Sequence, residues 1–199
     1  GSTSPSACGD ADAGYYVPTT GQSIQAACLA GTYQAATAQS SCNDADLGYY
    51  VPATGQSTQS AADAGYYVSS TGQSSQTACL AGTYNPNTGS TASTFCVDAD
   101  AGYYVSLTGQ SSQAACLEGT YQADTGEDGC DDAEAGHYVD LTGQSSQTAC
   151  LAGTYNPNTG STSSSACGDA DAGYYVDSTL GTGQSTQSAA DAGYYVDST

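Results

Sequence analysis

The sequence predicts an all-β, loop-rich array of small disulfide repeats, an elongated rod or solenoid-like tandem of β-hairpin units about 17–20 residues long. Three observations predict it. The core Gly-x-Tyr-x3-Thr occurs eleven times, led by Gly14, Gly31, Gly48, Gly65, Gly82, Gly102, Gly119, Gly136, Gly153, Gly173 and Gly193. Successive leading glycines are 17 residues apart seven times and 20 residues apart three times. Nine cysteines recur in fixed places within this period. A fixed period of this length marks a repeat array whose units bury a core only against their neighbours.

Each element follows from local chemistry. Tyr-Tyr-Val, as at Tyr15-Tyr16-Val17, favours a short strand, with Gly on one side and a Thr-Gly turn on the other. Gln-Ser-x-Gln, as at Gln22 to Gln25, is the expected return strand of a hairpin. The spacer Asn85-Pro86-Asn87-Thr88-Gly89, repeated from Asn156, is a turn by composition. The tyrosine two places after each leading glycine is expected to form a stacked ladder, the largest apolar material in the repeat. No stretch shows sustained helical periodicity, and no apolar run reaches the ~18 residues of a membrane span.

Composition bounds the partners. Lys and Arg are absent, Asp and Glu number 20, and the formal charge is −20 over 199 residues. Nucleic acid and anionic membrane surfaces are held through Lys and Arg, so neither is an expected partner, and no membrane insertion is expected. The carboxylates must face water or metal ions, with Ca2+ the abundant extracellular candidate. So many cysteines with so little apolar mass point to disulfides in an oxidising, extracellular compartment.

Two flavours of unit carry the cysteines. In one, Cys28, Cys79, Cys116 and Cys150 stand three residues before the leading glycine; in the other, Cys8, Cys42, Cys96, Cys130 and Cys167 stand six before. Two units lack cysteine, with Ala62 and Ala190 at the first position. One pairing joins Cys28–Cys42, Cys79–Cys96, Cys116–Cys130 and Cys150–Cys167, leaving Cys8 to pair outside the segment. The other joins Cys8–Cys28, Cys42–Cys79, Cys96–Cys116 and Cys130–Cys150. The first is preferred, because the second must stretch one loop across a cysteine-free unit. Zinc or redox sites need close-set Cys or His pairs, and the sequence offers none.

The acidic motif Asp-Ala-Asp-Ala-Gly gives a candidate calcium set: Asp10 and Asp12, Asp44 and Asp46, Asp98 and Asp100, Asp132 and Glu134, Asp169 and Asp171. Alternate carboxylates before Gly match the first half of an EF-hand loop without its distal Glu. The competing reading is a solvated edge that blunts β-pairing by charge. Candidate O-glycosylation sites are Thr20, Thr54, Thr71, Thr108, Thr142 and Thr179, hydroxyls beside turns in a Ser/Thr-rich chain. His137 stands where other units have Tyr or Thr and reads as a tolerated substitution. One His, no Lys and oxidised cysteines cannot assemble a nucleophile–base pair, so no enzyme is expected and no cofactor is required.

The units Cys-Leu-Ala-Gly-Thr-Tyr (Cys28–Tyr33) and Gly-Tyr-Tyr-Val-x-x-Thr-Gly-Gln-Ser (Gly14–Ser23) resemble the ephrin-receptor-like cysteine-rich repeat, a small disulfide module similar in style to TNF-receptor and EGF-like modules. The resemblance spans nearly the whole chain. It implies elongated extracellular architecture without enzymatic activity. The family's second cysteine of Cys-x-x-Cys is replaced here by Ala11, Ala45, Ala99, Ala133 and Ala170.

Residues 1–199 are therefore expected to be one continuous array, a segment of a longer repetitive chain, holding a whole number of repeats. The expected function is structural: a subunit of an extracellular, O-glycosylated, disulfide-stapled filament or surface appendage that self-associates head to tail or laterally. The rival expectations are a receptor or adhesin stalk and a calcium-dependent surface-binding protein.

Overall fold

A computed structural model describes residues 8–196. The described chain divides into two compact units. The first runs to Leu80 and adds Tyr84–Val97 and Thr108–Ser112; the second holds Ala81–Thr83, Asp98–Leu107 and the residues from Gln113 onward. Among the described residues, twenty strands of two residues each pair in ten two-stranded sheets. The pairing is antiparallel, as in Tyr15↔Ala27 with Tyr16↔Ala26, and Tyr103↔Ala115 with Tyr104↔Ala114. Three short 3-10 turns, Ser93–Phe95, Ser164–Ala166 and Ser178–Leu180, are the only helical turns among the described residues.

The leading glycine starts each hairpin. Tyr15 N–H donates to Asp12 O at 3.0 Å, closing a four-residue turn in which Gly14 has φ 87°. A positive φ at the third residue is what a type II turn requires, and glycine adopts it without a Cβ penalty. The next two residues then leave the turn extended, where Tyr and Thr fit a pleated surface.

The return strand lies beyond the expected one. Gln22 to Gln25 bend without pairing, and the strand is the following Ala26–Ala27. The same shift recurs at Ser60–Ala61 and Thr77–Ala78. The reason is that the second Gln uses its side chain for another purpose, described below, and the small Ala, Ser or Thr residues pass close beneath the tyrosines.

The core is also not where the large side chains are. It lies at three positions of the repeat: three before the leading glycine, the glycine itself, and three after. In the first unit these are Cys28, Gly31 and Gln34, then Ala45, Gly48 and Val51, then Ala62, Gly65 and Val68, all buried. In the second unit they are Ala99, Gly102 and Val105, then Cys116, Gly119 and Gln122, then Ala133, Gly136 and Val139. The tyrosines two places after the glycine, such as Tyr50, Tyr67, Tyr104 and Tyr138, are half-buried.

Within each unit the buried positions are tied to the next repeat by backbone bonds. In the first, Gly48 N–H donates to Val68 O (3.0 Å), Val51 N–H to Gln73 O (3.0 Å), and the turn residue Gly72 N–H to Ala45 O (2.8 Å). In the second, Gly102 donates to Gln122 O (2.8 Å), Val105 to Glu127 O (3.0 Å), and Gly126 to Ala99 O (2.8 Å). Buried backbone groups must be paired, and this scheme pairs them with a period of one repeat.

Glycine at the leading position has a second cause. A methyl group on Gly65 would lie 2.1 Å from Gly109 O, the turn glycine two repeats on. In the second unit a methyl on Gly102 would lie 2.3 Å from Gly143 O. The repeats led by Gly14 to Gly136 thus bond their immediate successor and pack their glycine against the turn of the one after.

Candidate functional site

The described residues that sequence reasoning singled out fall into three groups. The first is covalent. Four disulfides join Cys28–Cys42, Cys79–Cys96, Cys116–Cys130 and Cys150–Cys167, the pairs of the preferred scheme, with Cα–Cα distances of 5.7, 5.6, 5.8 and 5.6 Å. Cys8 carries no disulfide and is exposed. In each pair the first cysteine occupies the buried position that Ala45, Ala62 or Ala99 fills in other repeats, so the sulfur is packed as core as well as crosslinked.

The two loop lengths have different internal supports, which sequence reasoning missed. The 14-residue loops carry a buried Gln at the position three after the glycine. Gln34 Nε2 donates to Ser41 O (2.8 Å), and its Oε1 accepts from Ala36 N (3.1 Å); Gln122 makes the same bonds to Gly129 O and Asp124 N. The 17-residue loops carry a buried Asn instead. Asn85 Nδ2 donates to Tyr66 O (3.0 Å) and Ser90 Oγ (2.8 Å), and its Oδ1 accepts from Asn87 N (3.1 Å); Asn156 repeats this with His137 O, Ser161 and Asn158. The three additional residues form the 3-10 turns Ser93–Phe95 and Ser164–Ala166. The signal was in the sequence: this position is Val in the Tyr-Tyr repeats and an amide in the Thr-Tyr repeats.

The second group is acidic. The second carboxylate of each motif is clamped by a glutamine. Asp46 N–H donates to Gln59 Oε1 (2.7 Å), and Gln59 Nε2 donates back to Asp46 Oδ2 (2.6 Å). Asp12 with Gln25, Asp100 with Gln113, Glu134 with Gln147, and Asp171 with Gln187 do the same. Asp63 of the cysteine-free repeat is clamped by Gln76. The first carboxylates, Asp10, Asp44, Asp98, Asp132 and Asp169, are exposed. Among the described residues, no three or more His, Cys, Asp or Glu side chains are gathered as a metal ion would require. The structure therefore does not bring the candidate calcium residues together.

The third group is the hydroxyls. Thr20, Thr54, Thr71, Thr108, Thr142 and Thr179 are all exposed at turns. Thr179 is tied locally, its Oγ1 donating to Asp177 Oδ1 at 2.6 Å and its N–H at 2.9 Å. These two bonds hold the Asp177 carboxyl below its ordinary range, the hydroxyl contributing most. The eleventh turn threonine, Thr199, lies outside the described residues.

Two tyrosines are held up from the ordinary phenol range. Burial is the first cause for both; the carboxylates of Glu134 and Asp131 add to it at Tyr121, and that of Asp171 at Tyr155. His137 occupies a tyrosine position in its hairpin, with its ring 3.2 Å from where a methyl group on Gly183 would lie. It thus fills the place that Tyr66 fills beside Gly109 in the first unit. No helix among the described residues is long and apolar enough to cross a membrane.

No protein-family model matches the chain, and no curated protein matches it.

Proposed function

We propose that this chain is a structural, non-catalytic repeat segment of an extracellular filament or surface appendage, stapled by disulfides and bearing O-glycans on its turn threonines. The observation that carries this reading is the uniformity of the repeat frame. The same three buried positions and the same backbone bonds recur in every repeat from the one led by Gly31 to the one led by Gly136. A frame of this kind supplies one contact many times along a chain, which is what a fibrous element needs. Four disulfides fit an oxidising compartment. The net charge of −20 and the exposed threonines favour a hydrated, glycan-bearing surface.

Electron microscopy of the native material with and without a chelator tests the reading. Filaments that persist after chelation support it. Discrete short particles would move the reading to a receptor or adhesin stalk, and filaments that dissolve on chelation would move it to a calcium-dependent assembly. Intact mass before and after deglycosylation tests the glycans: a mass equal to the bare polypeptide would remove them from the account.

A further inference from the structure

Asp128 is followed by glycine, and no other Asp in the chain is. The pair lies in the loop closed by Cys116–Cys130. A tie holds the loop on each side of it. Glu127 O accepts from Val105 N–H at 3.0 Å, and Gly129 O accepts from Gln122 Nε2 at 3.0 Å. Between these ties the pair is bare. Asp128 is exposed, and neither its carboxyl nor Gly129 N–H has a hydrogen-bonding partner among the described residues. A Cβ added at Gly129 would meet nothing within 4 Å, and the residue lies outside the left-handed region.

An aspartyl Cγ can close a succinimide ring with the backbone nitrogen of the next residue. Closure needs an uncrowded nitrogen free of a hydrogen bond and a carboxyl free to turn toward it. Glycine leaves the nitrogen uncrowded because it has no Cβ. Other aspartates fail one condition. Asp10, Asp44 and Asp98 precede Ala. The carboxylates of Asp46 and Asp100 are clamped by Gln59 and Gln113, and that of Asp177 is held by Thr179.

We infer that Asp128–Gly129 is a self-modifying site that converts to isoaspartate in the folded chain and loosens the loop around it. Gly129 N attacks Cγ of the protonated Asp128 carboxyl. The N–Cγ bond forms, the Cγ–OH bond breaks, and the amide proton leaves with the hydroxyl as water. Water then opens the ring. Addition at Cγ restores Asp128. Addition at the original peptide carbonyl breaks its bond to Gly129 N, frees an α-carboxyl and leaves the chain running through Cγ. The isomer keeps the mass of the original chain, and no reactant but water enters. It carries an additional backbone carbon between the Glu127 and Gly129 ties, so the bond from buried Val105 is disturbed. The counterpart loop Cys28–Cys42 has Ser40 and Ser41 at these places and lacks the site. None of this depends on the structural reading above.

The test incubates the oxidised chain in mildly acidic buffer and follows it by peptide mapping and by labelling with an isoaspartyl carboxyl methyltransferase and a labelled methyl donor. The expected result is a species lighter by one water, then isoaspartate at 128, with faster hydrogen exchange at Val105. Gly129→Ala fits the backbone without strain and should slow the build-up severalfold. Asp128→Glu keeps the charge but must close a larger ring, and should stop it. Isoaspartate at 128 in the reduced, unfolded chain but not in the oxidised one would overturn the inference, as would equal build-up in Gly129→Ala. An isomerised chain with unchanged exchange at Val105 would overturn the loosening of the loop.

Discussion

Replacing Gly65 and Gly153 with alanine, one at a time, separates two reasons for glycine at the head of each repeat. Both have nearly the same backbone, φ 90° and 89°. An L-residue held there is strained by roughly 1–2 kcal/mol. At Gly153 nothing lies within 4 Å of the added methyl, so strain is the whole effect. At Gly65 the methyl would lie 2.1 Å from Gly109 O and 2.5 Å from its carbonyl carbon. Both are rigid backbone atoms, and Gly109 N–H donates to Cys79 O at 2.9 Å. Relieving the clash moves that turn and disturbs this bond. Overpacking adds about 1–3 kcal/mol and a disturbed buried bond about 1–3 more. Gly65→Ala should therefore destabilise by roughly 3–8 kcal/mol, well beyond Gly153→Ala. The assay is thermal unfolding by circular dichroism under oxidising conditions, with hydrogen exchange at Gly109 reporting local loss. Equal shifts in the two variants would refute the packing of leading glycine on turn glycine.

Further outcomes follow from the same frame. Changing Cys28 and Cys42 together to alanine should lower stability by about 3 kcal/mol, the worth of a loop near 15 residues. Because Ala62 is fully buried at the position of Cys28, hydrogen exchange should show the hairpin still formed. Asn85→Ala should cost roughly 1–3 kcal/mol by leaving Asn87 N–H and Ser90 Oγ without their amide partner, and unfolding should show it. Asp177 has a lowered pKa in the fold, so its bonds to Thr179 help above the unfolded carboxyl range and are lost as pH falls through the lower folded value. An NMR titration should show the Asp177 carboxyl moving back up in Thr179→Val. With 20 carboxylates and no Lys or Arg, melting temperature should rise with NaCl, and a fall would contradict a self-repelling surface.

Much of this architecture was legible from the sequence, for physical reasons that can be named. The Gly-x-Tyr period fixed where each hairpin begins, because a positive φ before two β-favouring residues has few other uses. The cysteine spacing distinguished two pairing schemes, and the cysteine-free repeat around Ala62 favoured the one present in the structure. The core was not legible. Hydrophobic bulk pointed to the tyrosines, yet Tyr50 is half-buried while Ala45, Gly48 and Val51 are buried. Burial here comes from close backbone approach between repeats, and small residues are what permit it. The return strand lies beyond Gln-Ser-x-Gln because the second Gln of that motif, as Gln59 does with Asp46, clamps a carboxylate 13 residues away, a pairing invisible to local propensity. The same clamp engages the second carboxylate of each candidate calcium pair and leaves the first exposed.

The central claim, a uniform repeat frame serving as an extracellular fibre, is tested most directly by cryo-electron microscopy of the native, untreated material. The account predicts continuous fibres built from the hairpin repeat, joined sulfur density at Cys28–Cys42, and extra density on turn threonines such as Thr54 and Thr108. Discrete short particles with bare hydroxyls would contradict it.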